Sequence, residues 1–136
     1  MAAEADVLFV VTPGGAETHG IVNREVIDAL GPDGMLVNVS RGSVVDEPAL
    51  VAALEEGRLG AAGLDVFADE PNVPAALFAM ENVVLTPHIG SATEETRQAM
   101  GDLVVDNLLQ HHADGRVISP VPECRDAAVV VNRLSL

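Results

Sequence analysis

The hydrophobic residues of this chain are concentrated in four short runs without regular polar alternation. The runs cover residues 7–11, 35–39, 62–66 and 83–85, and helix-like stretches separate them. Continuous apolar runs of this length, broken by helices, are typical of parallel strands that are buried on both faces. The pattern therefore predicts the α/β class, with half of a doubly wound parallel sheet and a short helix before the last strand.

Capping residues predict where the longer helices begin. Asn23 is placed to cap a helix over residues 24–30, and Asp46 caps a second one. After the fourth run, Ser91 is the first residue of a capping box, which predicts the longest helix over about residues 92–112. The helices therefore alternate with the strands as an α/β fold requires.

Three regions follow from this pattern. Residues 1–91 contain the predicted sheet and its connecting helices, and residues 92–122 a long helix with a following segment. Residues 123–136 form a tail. Within it, residues 127–131 either form an added strand or result from the assigned reading frame.

Composition narrows the class of protein. The 136 residues are 49% hydrophobic and 21% charged, which excludes intrinsic disorder. No apolar run approaches the ~18–20 residues of a membrane-spanning helix. Acidic residues near the N-terminus, Glu4 and Asp6, stand where a targeting peptide has basic ones, so we expect a cytoplasmic protein without membrane partners. The single Cys124 excludes an internal disulfide and a cysteine-based metal site.

The charge balance limits the kinds of partner that the chain can bind. Twenty-one acidic residues face seven arginines and no lysine, a net charge of −14. Nucleic-acid binding through a basic patch is excluded on this balance, because net repulsion would oppose it. An arginine in a loop is conspicuous in such a chain, and Arg41 follows the second apolar run.

Three chemically active residues follow three of the predicted strands: Arg41, Glu70 and His88. Taken singly, Arg41 suits a surface ion pair, Glu70 a turn carboxylate and His88 a helix cap. Ligands of open parallel sheets bind at the carboxyl ends of the strands, so the three are expected on one rim. Gly42 and Gly90 beside them are expected to let backbone approach a ligand closely.

This set suits the reduction of a 2-oxo acid with a hydride from a cofactor. Arg41 can grip a carboxylate through two parallel hydrogen bonds, and His88 can donate a proton to a carbonyl oxygen. A paired Glu70 favours the imidazolium form. Asp65 interrupts the third run, and a buried acid needs a partner, so ligand contact is favoured there. No nucleophile elbow and no metal-ligand spacing is present in the sequence.

Three segments carry a family resemblance: NVSRGSVVDE at 38–47, GLDVF with Glu70-Pro71 at 63–71, and NVVLTPHIGS at 82–91. In order and spacing they resemble the three signatures of the D-isomer-specific 2-hydroxyacid dehydrogenases. The stretch HIGSAT at 88–93 is similar to that of the glyoxylate/hydroxypyruvate reductases, including plant hydroxyphenylpyruvate reductase-like enzymes. The resemblance implies that residues 1–91 are the C-terminal half of a dinucleotide-binding domain with a Rossmann-type sheet. It also implies that the long helix and segment at 92–122 return toward a substrate domain, and that residues 123–136 are an atypical tail.

The resemblance also implies roles for residues. Arg41 would bind the substrate carboxylate, His88 would act as acid/base, Glu70 would pair with His88, and Asp65 would contact the nicotinamide amide. Further cofactor contacts would come from Thr12, Pro13, Val39, Ser40, Gly90 and Ser91. The cofactor would be NADP or NAD, the substrate a small 2-oxo acid such as glyoxylate or hydroxypyruvate, and the full-length enzyme a homodimer.

One family feature is missing. Gly14, Gly15 and Gly20 do not reproduce the spacing of the Gly-x-Gly-x-x-Gly phosphate cradle. The leading hypothesis, an NAD(P)H-dependent reductase, therefore has an alternative: a truncated, non-catalytic form that acts as a binding or oligomerisation module. A non-enzymatic corepressor with the same fold is a third hypothesis.

Overall fold

A computed structural model describes residues 1–124. The strand suggested for residues 127–131 lies outside the described residues. The chain divides into two compact units, Met1–Gly90 and a second one that begins at Ser91.

The first unit is built on a four-stranded, wholly parallel sheet. Its strands are β1 (Val7–Val10), β2 (Met35–Asn38), β3 (Ala61–Leu64) and β4 (Val83–Leu85), hydrogen-bonded in the order β1-β2-β3-β4. Sequential order and parallel direction require each connection to cross back over the sheet, as in Rossmann-type domains. The predicted α/β class and parallel sheet are confirmed.

Two helices connect the first three strands, and both begin at the predicted caps. In α1 (Arg24–Leu30) the Asn23 side chain accepts the N–H of Val26, and in α2 (Glu47–Glu55) Asp46 accepts that of Ala49. A short 3-10 helix, Ala75–Ala79, precedes β4. These local hydrogen bonds satisfy amides that an α-helix leaves unpaired at its start.

The hydrophobic core of this unit lies on one face of the sheet. Its largest fully buried apolar side chains come from α1, β2, α2 and the connecting segments: Ile27, Leu36, Val44, Leu50, Leu59 and Leu77. On the opposite face, Phe9 and Val84 are 62% and 68% exposed. The expectation that the strands are buried on both faces is therefore wrong within residues 1–90, because α1 and α2 contribute to the same core cluster.

The second unit contains the long helix α3 (Glu94–Asp114). Its cap is Thr93 and not the predicted Ser91, because the Thr93 hydroxyl accepts the N–H of Thr96, three residues ahead. Gly115 ends the helix in the left-handed conformation, with φ 79°. None of the helices within residues 1–124 is both long and apolar enough to cross a membrane.

Candidate active site

Three loops leave the same edge of the sheet, one after each of β2, β3 and β4. They carry Arg41, Glu70 and His88 respectively. Because the strands are parallel, these residues all follow carboxyl ends, as the sequence predicts. Of the three, Glu70 and His88 contact each other directly.

Glu70 and His88 form a hydrogen-bonded pair. Nδ1 of His88 lies 2.7 Å from Oε2 of Glu70, and the other oxygen, Oε1, accepts the N–H of Phe67 at 3.0 Å. The His88 hydrogen bond and then the Phe67 amide lower the pKa of Glu70, and the positive charge of Arg41 acts in the same direction. Within residues 1–124 no hydrogen bond engages Nε2 of His88, so this atom is available to a substrate.

Asp65 fixes the loop that carries His88. Its Oδ1 accepts the Thr86 hydroxyl at 2.5 Å and the N–H of Ile89 at 2.9 Å, while Oδ2 accepts the N–H of Gly90 at 2.9 Å. Between these contacts, His88 has a φ of 54°, uncommon for a non-glycine residue. Asp65 therefore helps to impose this backbone conformation.

The environment of Asp65 differs from the sequence expectation in one respect. The sequence places Asp65 within the third apolar run, whereas in the structure it directly follows β3. It is buried, as expected, with 5% exposure. Burial by itself raises the pKa of Asp65, but the hydrogen bonds from Thr86, Ile89 and Gly90 outweigh it and leave the pKa below its usual value. The partners of this buried acid lie within the chain.

Asn38 shapes the loop that carries Arg41. Its side-chain oxygen accepts from the backbone N–H and the hydroxyl of Ser40, both at 3.1 Å, and its amide donates to the Arg41 carbonyl. Nη1 of Arg41 donates to the Ser40 carbonyl at 2.6 Å. Sequence reasoning assigned Asn38 no role; the signal was a polar residue within a valine-rich run, at a position that is 1% exposed.

Gly42 brings two of the loops into direct backbone contact. A Cβ at this position would collide with the carbonyl of Phe67 and the amide nitrogen of Ala68. Gly42 is buried against this backbone, so the absence of a side chain serves loop packing and not the expected approach of a ligand. At exposed Gly90, a Cβ would lie 3.1 Å from Oδ2 of Asp65.

A cavity of about 640 Å³ adjoins Arg41 between the loops that follow β1 and β2. It brings together five of the predicted site residues: Thr12, Pro13, Val39, Ser40 and Arg41. Glu70, His88, Asp65 and Gly90 do not line it and form the neighbouring cluster described above. Ser91 begins the second unit.

Comparison with known proteins identifies the relatives of this arrangement. Residues 1–90 match the family model described as D-isomer specific 2-hydroxyacid dehydrogenase, NAD binding domain. The chain is 59% identical over 121 residues to hydroxyphenylpyruvate reductase from Plectranthus scutellarioides, and 54% identical over 121 residues to a glyoxylate/hydroxypyruvate reductase A from Arabidopsis thaliana. Each alignment covers 89% of this chain and 39% of the relative.

A solved structure gives the same result. The fold matches an NADPH-dependent glyoxylate/hydroxypyruvate reductase from Sinorhizobium meliloti, in complex with NADP and malonate, with a TM-score of 0.86 and 54% identity. That match covers 90% of this chain and 38% of the other, so the chain spans less than half the length of these relatives. Extended sequence and structural agreement shows that the chain belongs to the D-isomer specific 2-hydroxyacid dehydrogenases, with residues 1–90 in their NAD-binding domain.

Proposed function

We propose that this chain carries the catalytic groups of an NAD(P)H-dependent reductase of small 2-oxo acids, of which glyoxylate and hydroxypyruvate are the leading candidates. The observation that carries the proposal is the Glu70–His88 pair, joined at 2.7 Å on the rim that also bears Arg41. A carboxylate-stabilised imidazole and a guanidinium match the two polar ends of a 2-oxo acid.

Arg41 is the group proposed to bind the substrate carboxylate. Its side chain is held by a hydrogen bond from Nη1 to the Ser40 carbonyl, while the residue stays exposed beside the cavity. A planar guanidinium presents several N–H groups, so this bond leaves others free for a second acceptor. With the carboxylate held there, the substrate carbonyl is oriented toward the His88 side of the rim.

His88 is proposed to donate the proton that the carbonyl oxygen requires. Glu70 accepts from Nδ1, which orients the ring and leaves Nε2 to face the substrate. Nε2 then delivers the proton as the oxygen becomes negatively charged, and in the reverse reaction the same atom accepts it. The negative charge of Glu70 offsets the positive charge of the imidazolium throughout.

The residues around the 640 Å³ cavity fit the nicotinamide end of a dinucleotide. Its volume lies within the range of small-molecule sites. Hydroxyls of Thr12 and Ser43 suit a ribose, and Val11 and Val39 offer apolar surface to a planar ring. Thr12, Pro13, Val39 and Ser40 would hold this half of the cofactor, with Asp65 and Gly90 in the neighbouring cluster. The bound nicotinamide supplies the hydride, and the NADP complex of the similar reductase favours NADP.

The experiment that tests the proposal is NADPH oxidation with glyoxylate or hydroxypyruvate. Because the chain spans 38% of the Sinorhizobium meliloti reductase, the assay uses a chimera in which residues 1–121 replace the matching segment. We expect a folded, active chimera that loses activity in His88→Ala and retains it in His112→Ala, a histidine on α3. A folded but inactive chimera, or an active His88→Ala variant, would refute the proposal.

A second candidate function is a non-catalytic oligomerisation module formed by this chain alone. The observation in its favour is the edge strand β1, on which Phe9 is 62% exposed, with Val11 just beyond it 73% exposed. The Gly-x-Gly-x-x-Gly cradle, which supplies much of the dinucleotide phosphate affinity, is absent from the 136 residues. Calorimetric titration of the chain with NADPH separates the two candidates, since micromolar affinity would contradict the second.

A further inference from the structure

Glu47 connects helix α2 to the loop that carries Glu70. It is the first residue of α2, and its Oε2 accepts the N–H of Ala68 at 3.0 Å across 21 positions of sequence. The capping role at this helix start already belongs to Asp46, which accepts from Ala49. The Glu47 carboxylate is therefore free to serve the loop.

The loop amide bound by Glu47 is adjacent to the one bound by Glu70. Phe67 donates its N–H to Oε1 of Glu70, and Ala68 donates its N–H to Glu47. The peptide between these residues also packs against the backbone of Gly42. The two carboxylates thus hold the consecutive peptide units on either side of Phe67, and Gly42 packs against the second of them. Glu70 extends from this segment toward His88.

We propose that Glu47 is a positioning residue, which holds the Phe67–Ala68 peptide in place and through it orients the Glu70 carboxylate toward His88. Its relevance to catalysis rests on the proposed function, but the positioning itself does not. When the Ala68 amide loses its acceptor, the loop is free to turn, and Glu70 then loses its Phe67 hydrogen bond and its alignment with His88. A glutamine retains a side-chain oxygen of the same reach, whereas alanine does not.

The test compares the Glu70 carboxyl pKa in the 136-residue chain with that in Glu47→Ala and Glu47→Gln, by carbon-detected NMR titration. Removing the negative charge of Glu47 by itself lowers the pKa of Glu70, because a like charge has gone. Loss of the hydrogen bonds to Glu70 raises that pKa toward its ordinary value. We therefore expect a higher Glu70 pKa in Glu47→Ala, and an unchanged or lower one in Glu47→Gln.

Hydrogen exchange at the Ala68 amide gives a second readout. We expect exchange roughly tenfold faster in Glu47→Ala, the factor that corresponds to one hydrogen bond of ordinary strength. Glu47→Gln should stay near wild type. Glu55→Ala and Glu55→Gln, at the far end of the same helix, are the matched controls and should change neither readout. Circular dichroism verifies that each variant is folded.

Two results would contradict the positioning role of Glu47. Wild-type values for both readouts in Glu47→Ala would overturn the proposal. Equal rises of the Glu70 pKa in the alanine and glutamine variants would also overturn it, because retaining an acceptor for the Ala68 amide would then make no difference. None of these measurements requires turnover, so failure of the reductase assay and failure of this proposal are distinguishable.

Discussion

His88 lies within hydrogen-bonding distance of Glu70, 2.7 Å from Nδ1 to Oε2, although the two residues follow different strands and are 18 positions apart. Each is fixed independently by backbone amides of its surroundings: Asp65 holds the His88 loop, and Phe67 donates to Glu70. Preorganisation of this kind keeps a proton donor aligned before the substrate arrives. In the proposed reaction the pair would therefore need no rearrangement before the proton is transferred.

Glu70→Gln should slow reduction by the chimera described above. Glutamine can still accept from Nδ1 of His88, but as a neutral group it does not offset the positive charge of an imidazolium. We expect kcat to fall by about tenfold, since a hydrogen bond to a charged group contributes roughly 1–1.5 kcal/mol more than one to a neutral group. Initial rates at saturating glyoxylate provide the measurement. Glu81→Gln, at an exposed position, is the control, and an unchanged kcat in Glu70→Gln would contradict the assigned role.

Arg41→Lys should weaken the binding of the substrate carboxylate without changing the fold. Lysine keeps the positive charge but loses the paired N–H groups, and a charge-assisted hydrogen bond contributes about 1.5–3 kcal/mol. We expect kcat/KM of the chimera to fall by about tenfold to a hundredfold, mainly through KM. Arg97→Lys, on exposed α3, is the matched control. A KM for glyoxylate that is unchanged in Arg41→Lys would exclude Arg41 as the carboxylate ligand.

Asp65→Asn should destabilise the first unit. The two carboxylate oxygens of Asp65 accept the N–H groups of Ile89 and Gly90, but asparagine has only one acceptor oxygen. Its NH2 group would therefore face one of these N–H donors, and a buried unsatisfied group costs about 1–3 kcal/mol. Urea unfolding measures the loss at neutral pH, with exposed Asp33→Asn as the control.

The difference in stability between wild type and Asp65→Asn should also depend on pH. The fold lowers the pKa of Asp65 from its ordinary value of 3.8. Its contribution to stability is therefore complete above that value and disappears as the pH falls through the lower, folded value. The stability difference between wild type and Asp65→Asn should shrink over that interval. A difference that stays constant down to the acid end of the titration would show that the charge of Asp65 contributes nothing.

Gly42→Ala should be strongly destabilising. The added methyl group would occupy the position of the Phe67 carbonyl, so two loops would have to separate, and overpacking of this kind costs about 1–3 kcal/mol or more. Gly63→Ala is the control in the same unit, since its added Cβ would meet Val37 at an ordinary 3.7 Å. Thermal unfolding compares the two. Equal melting temperatures would mean that the Gly42 backbone contact is not tight.

The sequence pattern was sufficient for the strands, the helix caps at Asn23 and Asp46, and the rim that carries Arg41, Glu70 and His88. Local rules carry this information, because periodicity and capping depend on residues a few positions apart. The contact of Glu47 with Ala68 depends on how α2 and the β3 loop meet, and no local pattern encodes it. The cap of α3 could not be predicted because two hydroxyl residues, Ser91 and Thr93, precede the helix. Only the backbone geometry at the helix start determines that Thr93 is the cap.

The exposed edge of the sheet predicts self-association of the isolated chain. Within the described residues β1 pairs only with β2, and its outward side chains include Phe9, with Val11 following. An unpaired edge with apolar side chains is a template for pairing with another chain. We expect sedimentation velocity to show concentration-dependent association. Phe9→Ser combined with Val11→Ser should weaken it by about tenfold or more, since burial of one large apolar side chain contributes about 1.5–3 kcal/mol.

The control for this double variant is Ile21→Ser, which removes an apolar side chain of 54% exposure from a loop in the same unit. It should leave association unchanged, because Ile21 lies outside the strands of the sheet and does not border the edge strand. Circular dichroism establishes that both variants keep the fold. A wild-type chain that sediments as a monomer at every concentration would contradict the prediction, and so would an Ile21→Ser variant that dissociates as readily as the edge-strand variant. The first result would mean that the apolar edge is tolerated in water; the second would place the contact elsewhere on the first unit.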